Sequence, residues 1–134
     1  MAKRVPTRKY GRAAKVAAQL LFSRVEIDPR VAWTRAIAEI FPESLSSRKK
    51  GCPRSSFLAL CEFGAIKNVP EGAYTRSVEN KDYMRRALSA LRADSSLLHD
   101  EVKLWQIATC NEAIKPNGQI EVLTTLWEER LVLE

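Results

Sequence analysis

The stretch Asp28-Pro29-Arg30-Val31-Ala32-Trp33-Thr34-Arg35-Ala36-Ile37-Ala38-Glu39-Ile40-Phe41-Pro42 carries its own punctuation. Aspartate before proline supplies an N-cap and a residue pre-set for the first helical position, and Pro42 stops the run. Between them Trp33, Ala36, Ile37, Ile40 and Phe41 return at helical spacing, so one face is apolar and the segment reads as an amphipathic helix. The same period extends in both directions. Upstream, Tyr10, Ala13, Ala14, Ala17, Leu20 and Leu21 form a stripe. Downstream, Pro53 opens a third helix holding Phe57, Leu58, Leu60 and Cys61, with Gly64 as its natural C-terminal cap. A fourth helix runs from about Asn80 to Ala93 with Met84, Ala87, Leu88 and Leu91 inward, a fifth from about Asp100 to Glu112 around Trp105, and a sixth follows Asn117 with Ile120, Leu123, Leu126 and Trp127. The polar stretch Glu43 to Cys52 is a loop. Ala65 to Arg76, with Pro70, Gly72 and two short apolar runs, is a loop or a short wing-like hairpin. The fold class expected is therefore all-α, with six helices.

The halves of the chain resemble each other. Tyr10, Arg12, Ala14 and Ala17 match Tyr83, Arg85, Ala87 and Ala90; Asp28, Trp33 and Ala36 match Asp100, Trp105 and Ala108; Phe57, Leu60, Glu62 and Ile66 match Leu123, Leu126, Glu128 and Val132 at an offset of 66. This suggests two pseudo-repeated three-helix units, residues 7–66 and 80–132, within a single domain spanning 1–134. Three helices alone bury too little surface for a core, so the apolar stripes, tryptophans included, are expected to meet face to face across a pseudo-two-fold interface.

Length and composition narrow the class. A chain of 134 residues, 46% hydrophobic and 28% charged, is one ordinary globular domain. The longest apolar stretch, Val16 to Phe22, is broken by Gln19 and is far too short to span a bilayer, so no membrane partner is expected. The start is basic, with Glu26 the first acidic residue, but Lys15 and Gln19 interrupt any apolar core of a signal sequence; a basic first helix is the simpler reading. Cys52, Cys61 and Cys110 are odd in number and lack metal-ligand spacing, which suits reduced thiols in a cytoplasmic protein.

Charge is unevenly distributed. Residues 1–54 carry 13 basic and 4 acidic side chains, a balance of +9, whereas residues 93–134 carry 3 basic and 8 acidic, a balance of −5. Two clusters make the cationic end: Lys3, Arg4, Arg8, Lys9, Arg12 and Lys15 in an N-terminal arm and first helical turns, and Arg48, Lys49, Lys50 and Arg54 in the loop entering the third helix. There, flexible cations, Gly51 and the hydroxyls of Ser55 and Ser56 converge on a helix N-terminus, whose free N–H groups and dipole favour an anion such as phosphate. The second helix, its connection, the third helix and the Gly64 to Thr75 segment resemble a winged helix-turn-helix. The connection of about eleven residues from Pro42 to Cys52 is much longer than that motif's turn, which argues against insertion into the major groove.

Catalysis finds little support. His99 is the only histidine, so Ser-His-Asp, Cys-His and multi-histidine metal sites would all have to be built around this one residue before the fifth helix, and it reads instead as a surface or boundary residue. Cys52 lies near Lys50 and Arg54 at a helix start, a setting that lowers a thiol pKa, but Leu58 stands where a phosphatase loop needs arginine. Asp100-Glu101 and Glu128-Glu129 are adjacent acidic pairs of the kind helices show to solvent, and neither a cofactor motif nor a metal motif is present. Lys49-Lys50-Gly51-Cys52-Pro53, Phe57-Leu58-x-Leu60-Cys61-Glu62-x-Gly64-x-Ile66, Tyr74-Thr75-x-Ser77, Asn80-Lys81-x-Tyr83 and Leu126-Trp127-Glu128 together resemble a family of small uncharacterised bacterial helical proteins. The resemblance implies a bacterial, cytosolic setting and no assigned activity. The expected function is non-enzymatic binding of nucleic acid, DNA foremost, by phosphate contact through Lys3, Arg4, Arg8, Lys9, Arg12, Arg48, Lys49, Lys50, Arg54 and Ser55. The alternative is a regulatory module docking an acidic protein partner.

Overall fold

The computed structural model describes residues 8–134 and is all-helical. Six helices have eight residues or more: α1 (Lys9–Phe22), α2 (Pro29–Ile40), α4 (Gly51–Glu62), α5 (Val78–Ala93), α6 (Glu101–Ala108) and α7 (Gln119–Glu128). A single helical turn, α3 (Leu45–Arg48), lies in the polar segment read as loop, and a 3-10 turn, Ser95–His99, links α5 to α6. Short polar side chains start most of these elements. Asp28 accepts from the Arg30 N–H at 2.9 Å, Ser44 from Ser47, Ser77 from Asn80 and Asp100 from Lys103. Helix α6 ends four residues before the expected Glu112. Thr109 donates its hydroxyl to the Trp105 carbonyl at 2.9 Å, and Cys110 and Asn111 both turn left-handed, with φ of 56° and 63°.

The helices do not close into two separate three-helix units. Helix α1 packs on α2 and on α7, α5 packs on α6 and on α4, and α4 meets α7 between them. The third helix of each expected unit thus packs on the first helix of the other, and the core is one continuous cluster running from Ala13 to Val132. All three tryptophans lie in it. The expected equivalence of the halves is not carried through in length, since α2 has 12 residues and α6 has 8.

Residues 65–77 form a loop without a hairpin, so the wing is absent. Ile66 pairs instead with Val132 in an isolated antiparallel bridge, flanked by hydrogen bonds from Lys67 N–H to the Leu131 carbonyl (3.0 Å) and from Leu133 N–H to the Ala65 carbonyl (2.8 Å). The loop's far end is fixed by Glu62, whose carboxylate accepts from the N–H groups of Tyr74 and Thr75 and pairs with Lys81 at 2.8 Å. Burial works against the charged Glu62, but these donors outweigh it and hold its pKa below the usual value.

Both bridging segments leave their helices through the same cap. Ala65 N–H reaches the Leu60 carbonyl and Gly64 N–H that of Cys61; Leu131 N–H reaches Leu126 and Arg130 N–H reaches Trp127. This is the Schellman arrangement, which needs one residue at positive φ, and Gly64 (72°) and Arg130 (61°) fill that position. Arginine pays a steric penalty there that glycine avoids. Arg130→Gly is expected to stabilise the protein by about 1 kcal/mol, raising the urea midpoint with an unchanged slope. A lower midpoint would show that the exposed Arg130 side chain contributes more than the cap does.

Candidate nucleic-acid interface

The segments that carry the two basic clusters are joined in space by a contact between residues 37 positions apart, Tyr10 and Ser47. The junction is built from aromatic groups at the start of α1 and the end of α2. Tyr10 packs on Phe41 with ring centroids 5.0 Å apart, and its hydroxyl donates to the Ser47 carbonyl at 3.2 Å. Burial raises the Tyr10 pKa, which keeps the phenol neutral and able to donate. On the same ring the Lys9 ammonium sits 5.3 Å from the Phe41 centroid, a cation–π distance. The start of α1 is thereby fastened to α3, whose end leads directly through Lys49 and Lys50 into α4.

The sequence-predicted residues divide into those spent on the fold and those left on the surface. Arg8 is spent. Its guanidinium makes a bidentate contact with Glu101 (2.9 and 3.3 Å) and a hydrogen bond to Thr124 Oγ1 (2.9 Å). The bond to Glu101 outweighs the effect of partial burial and raises the Arg8 pKa further. Glu101 is therefore not a solvent-facing partner of Asp100, as its position in an acidic pair suggested, but the anchor of the chain before α1. Arg48 is spent too: Nε donates to the Phe41 carbonyl at 2.7 Å and the terminal nitrogen to that of Pro42, covering carbonyls left open where α2 ends. Ser55 is engaged with the Thr75 hydroxyl at 3.4 Å. Lys15, beside the predicted set, pairs with Glu129 at 3.3 Å.

Lys9, Arg12, Lys49, Lys50 and Arg54 remain. Arg12, Lys49 and Lys50 are exposed, and Lys50 makes one long contact to Asn117 at 3.4 Å. Arg54 is half-buried one turn into α4. No side chain caps that helix, because its N-cap residue is Lys50, so its first N–H groups are open to an anion. Lys3 and Arg4 lie outside the described residues. Sequence reasoning missed Tyr10 and Phe41, which look like two more members of core stripes, and the signal that could have found them is weak: each stands at the end of its stripe beside basic residues.

Little among the described residues suggests catalysis. His99 is exposed, and no group of three His, Cys, Asp or Glu residues is placed to hold a metal ion. Cys61 is buried, which pushes its thiol pKa far up, while Cys52 is half-buried and Cys110 exposed. No described helix is long and apolar enough to cross a membrane.

The fold is that of a small all-helical protein, with exposed cations on the first turns of α1 and where α3 passes into α4. The chain belongs to a family of unknown function, DUF6979, whose model matches residues 7–133. No curated protein matches it, and no solved structure does.

Proposed function

We propose that the protein is a non-enzymatic nucleic-acid-binding protein that holds duplex DNA by its phosphate backbone. The observation that carries this reading is the Tyr10 to Ser47 contact, which joins Lys9 and Arg12 of α1 to Lys49, Lys50 and Arg54 around the uncapped start of α4. Cations on two elements, with open N–H groups between them, make a surface suited to successive phosphates. The aromatic side chains at the junction are committed to internal contacts, which leaves no stacking platform for bases, and α4 follows a connection too long for a helix-turn-helix. Sequence-independent contact is the result. Lys3 and Arg4 extend the charge of the arm in sequence, and a bacterial cytoplasm is the setting this reading carries with it.

The test is a titration of random-sequence duplex DNA at about 50 and 200 mM salt. If all five cations meet phosphates, the slope of log K against log salt is roughly −4.5 and affinity falls about 500-fold over that range. Lys49→Ala with Lys50→Ala removes two contacts, so the slope is expected to flatten by roughly 1.8. Arg48 is left in place because its removal opens the end of α2. Absence of binding at the lower salt, or a double variant with the parental slope, would sink the proposal; in the first case an acidic protein partner becomes the reading to pursue.

A further inference from the structure

A hollow of about 680 Å³ opens between α6, the loop of residues 109–118 and the start of α7. That volume is within the usual range for small-molecule sites. Its apolar lining includes Val102, Trp105, Ile114 and Pro116. The wall is held by the fold and does not await a ligand to order it. The Trp105 indole N–H donates to the Ile114 carbonyl at 2.7 Å, Asn111 N–H to Gln106 at 2.8 Å, and Ile114 N–H to Glu112 at 2.8 Å. A preformed hollow spares a ligand the ordering cost of loop closure.

Its charge selects the occupant. Among the described residues Glu101, Glu112 and Glu121 line the hollow, and no described lysine or arginine does. Arg8, which is not part of that lining, pairs with Glu101 at 2.9 Å. Glu121 Oε2 accepts from the Gly11 N–H at 3.0 Å, and Glu101 and Glu121 stand in the first turns of α6 and α7, where they offset the positive ends of those helices. Glu112 is exposed and, among the described residues, its side chain makes no hydrogen bond or ion pair. The charge left over is negative, beside an indole and three aliphatic or ring surfaces, and a carboxylate next to apolar surface complements an ammonium attached to an apolar body.

We propose that this hollow is a binding site for a small organic cation, a primary ammonium carried on an aromatic or aliphatic body. The site is separate from the nucleic-acid reading and does not depend on it. The experiment uses 2-phenylethylammonium as probe and 3-phenylpropionate, an apolar body of the same kind with the opposite charge, as control. Binding is followed at the Trp105 indole N–H by nitrogen-edited NMR at constant ionic strength. The ammonium is expected to shift that resonance saturably and to bind at least about tenfold more tightly than the carboxylate. Glu112→Lys, on an exposed residue with no structural partner, is expected to weaken the ammonium by about tenfold or more while leaving the thermal midpoint unchanged. Equal binding of the two probes, an indole resonance unmoved up to about 20 mM ammonium, or an affinity indifferent to Glu112→Lys would each overturn the proposal.

Discussion

Trp33→Ala is expected to cost about 3–5 kcal/mol, a large part of the roughly 5–15 kcal/mol that holds a domain of this size folded. Trp33 is 1% exposed and packs against Phe57 with ring centroids 5.5 Å apart, so it ties α2 to α4 across the centre of the core. Alanine would leave a cavity walled by residues of several helices, which cannot all collapse into it. Trp33→Phe should behave differently. The indole N–H is buried without a partner, and phenylalanine removes that unpaid donor while keeping a ring on Phe57. The expected loss is below about 1.5 kcal/mol, because relief of an unsatisfied polar group offsets part of the smaller cavity. Urea unfolding of the two variants checks both values. A phenylalanine variant as damaged as the alanine one would mean that the N–H has a partner in solution, such as an ordered water.

Trp33 was legible because its signal is local. A cap, a proline and a 3.6-residue period lie within fifteen neighbours, and the same kind of information placed all six longer helices. What was not legible is carried by contacts between distant residues. Arg8 and Glu101 are 93 positions apart, and neither residue shows in its own neighbourhood that it will be paired. Arg48 stands in a run of cations, yet its guanidinium turns back to carbonyls that exist as acceptors only because Pro42 ends α2. The apolar runs after Gly64 suggested a hairpin, since Ile66 and Val69 need neighbours; the neighbour of Ile66 is Val132, from the far end of the chain. Charge counts concentrate cations in residues 1–54 of the sequence, but a count cannot separate cations that close the fold from those left on the surface. Helix α6 fell short for a related reason: Thr109 prefers a bond to its own helix, and two left-handed residues follow.

Gly11→Val is expected to do more damage than its place in an N-terminal basic helix suggests. Gly11 is buried where α1 crosses α7, and a Cβ built on it would lie 2.2 Å from Thr125 Oγ1 and 2.9 Å from the Glu121 carbonyl oxygen. The hydroxyl can rotate away, whereas the carbonyl is backbone and moves only if α7 moves. Intrinsic propensity runs the other way, since alanine in a helix interior is favoured over glycine by about 1 kcal/mol, so the sign of Gly11→Ala decides between the two effects. Overpacking should win: a net loss of about 1–2 kcal/mol for alanine, and more than about 3 kcal/mol for valine, whose two further methyls meet the same wall. The double variant Gly11→Ala with Thr125→Ala separates the contacts. Removing the hydroxyl relieves the 2.2 Å clash and leaves the carbonyl clash, so partial recovery, with a coupling of about 1 kcal/mol, is expected in denaturant unfolding. The consequence reaches the cationic face. Glu121 accepts the Gly11 N–H, Arg8 is held by Glu101 three residues earlier, and Lys9 and Tyr10 sit between these anchors on Phe41. A folded Gly11→Ala protein should therefore bind duplex DNA less tightly at low salt although it keeps every cation, because its α1 cations are displaced from those at the start of α4. Parental affinity in that variant would show that the two groups of cations act independently and that their alignment is not what binds the phosphates.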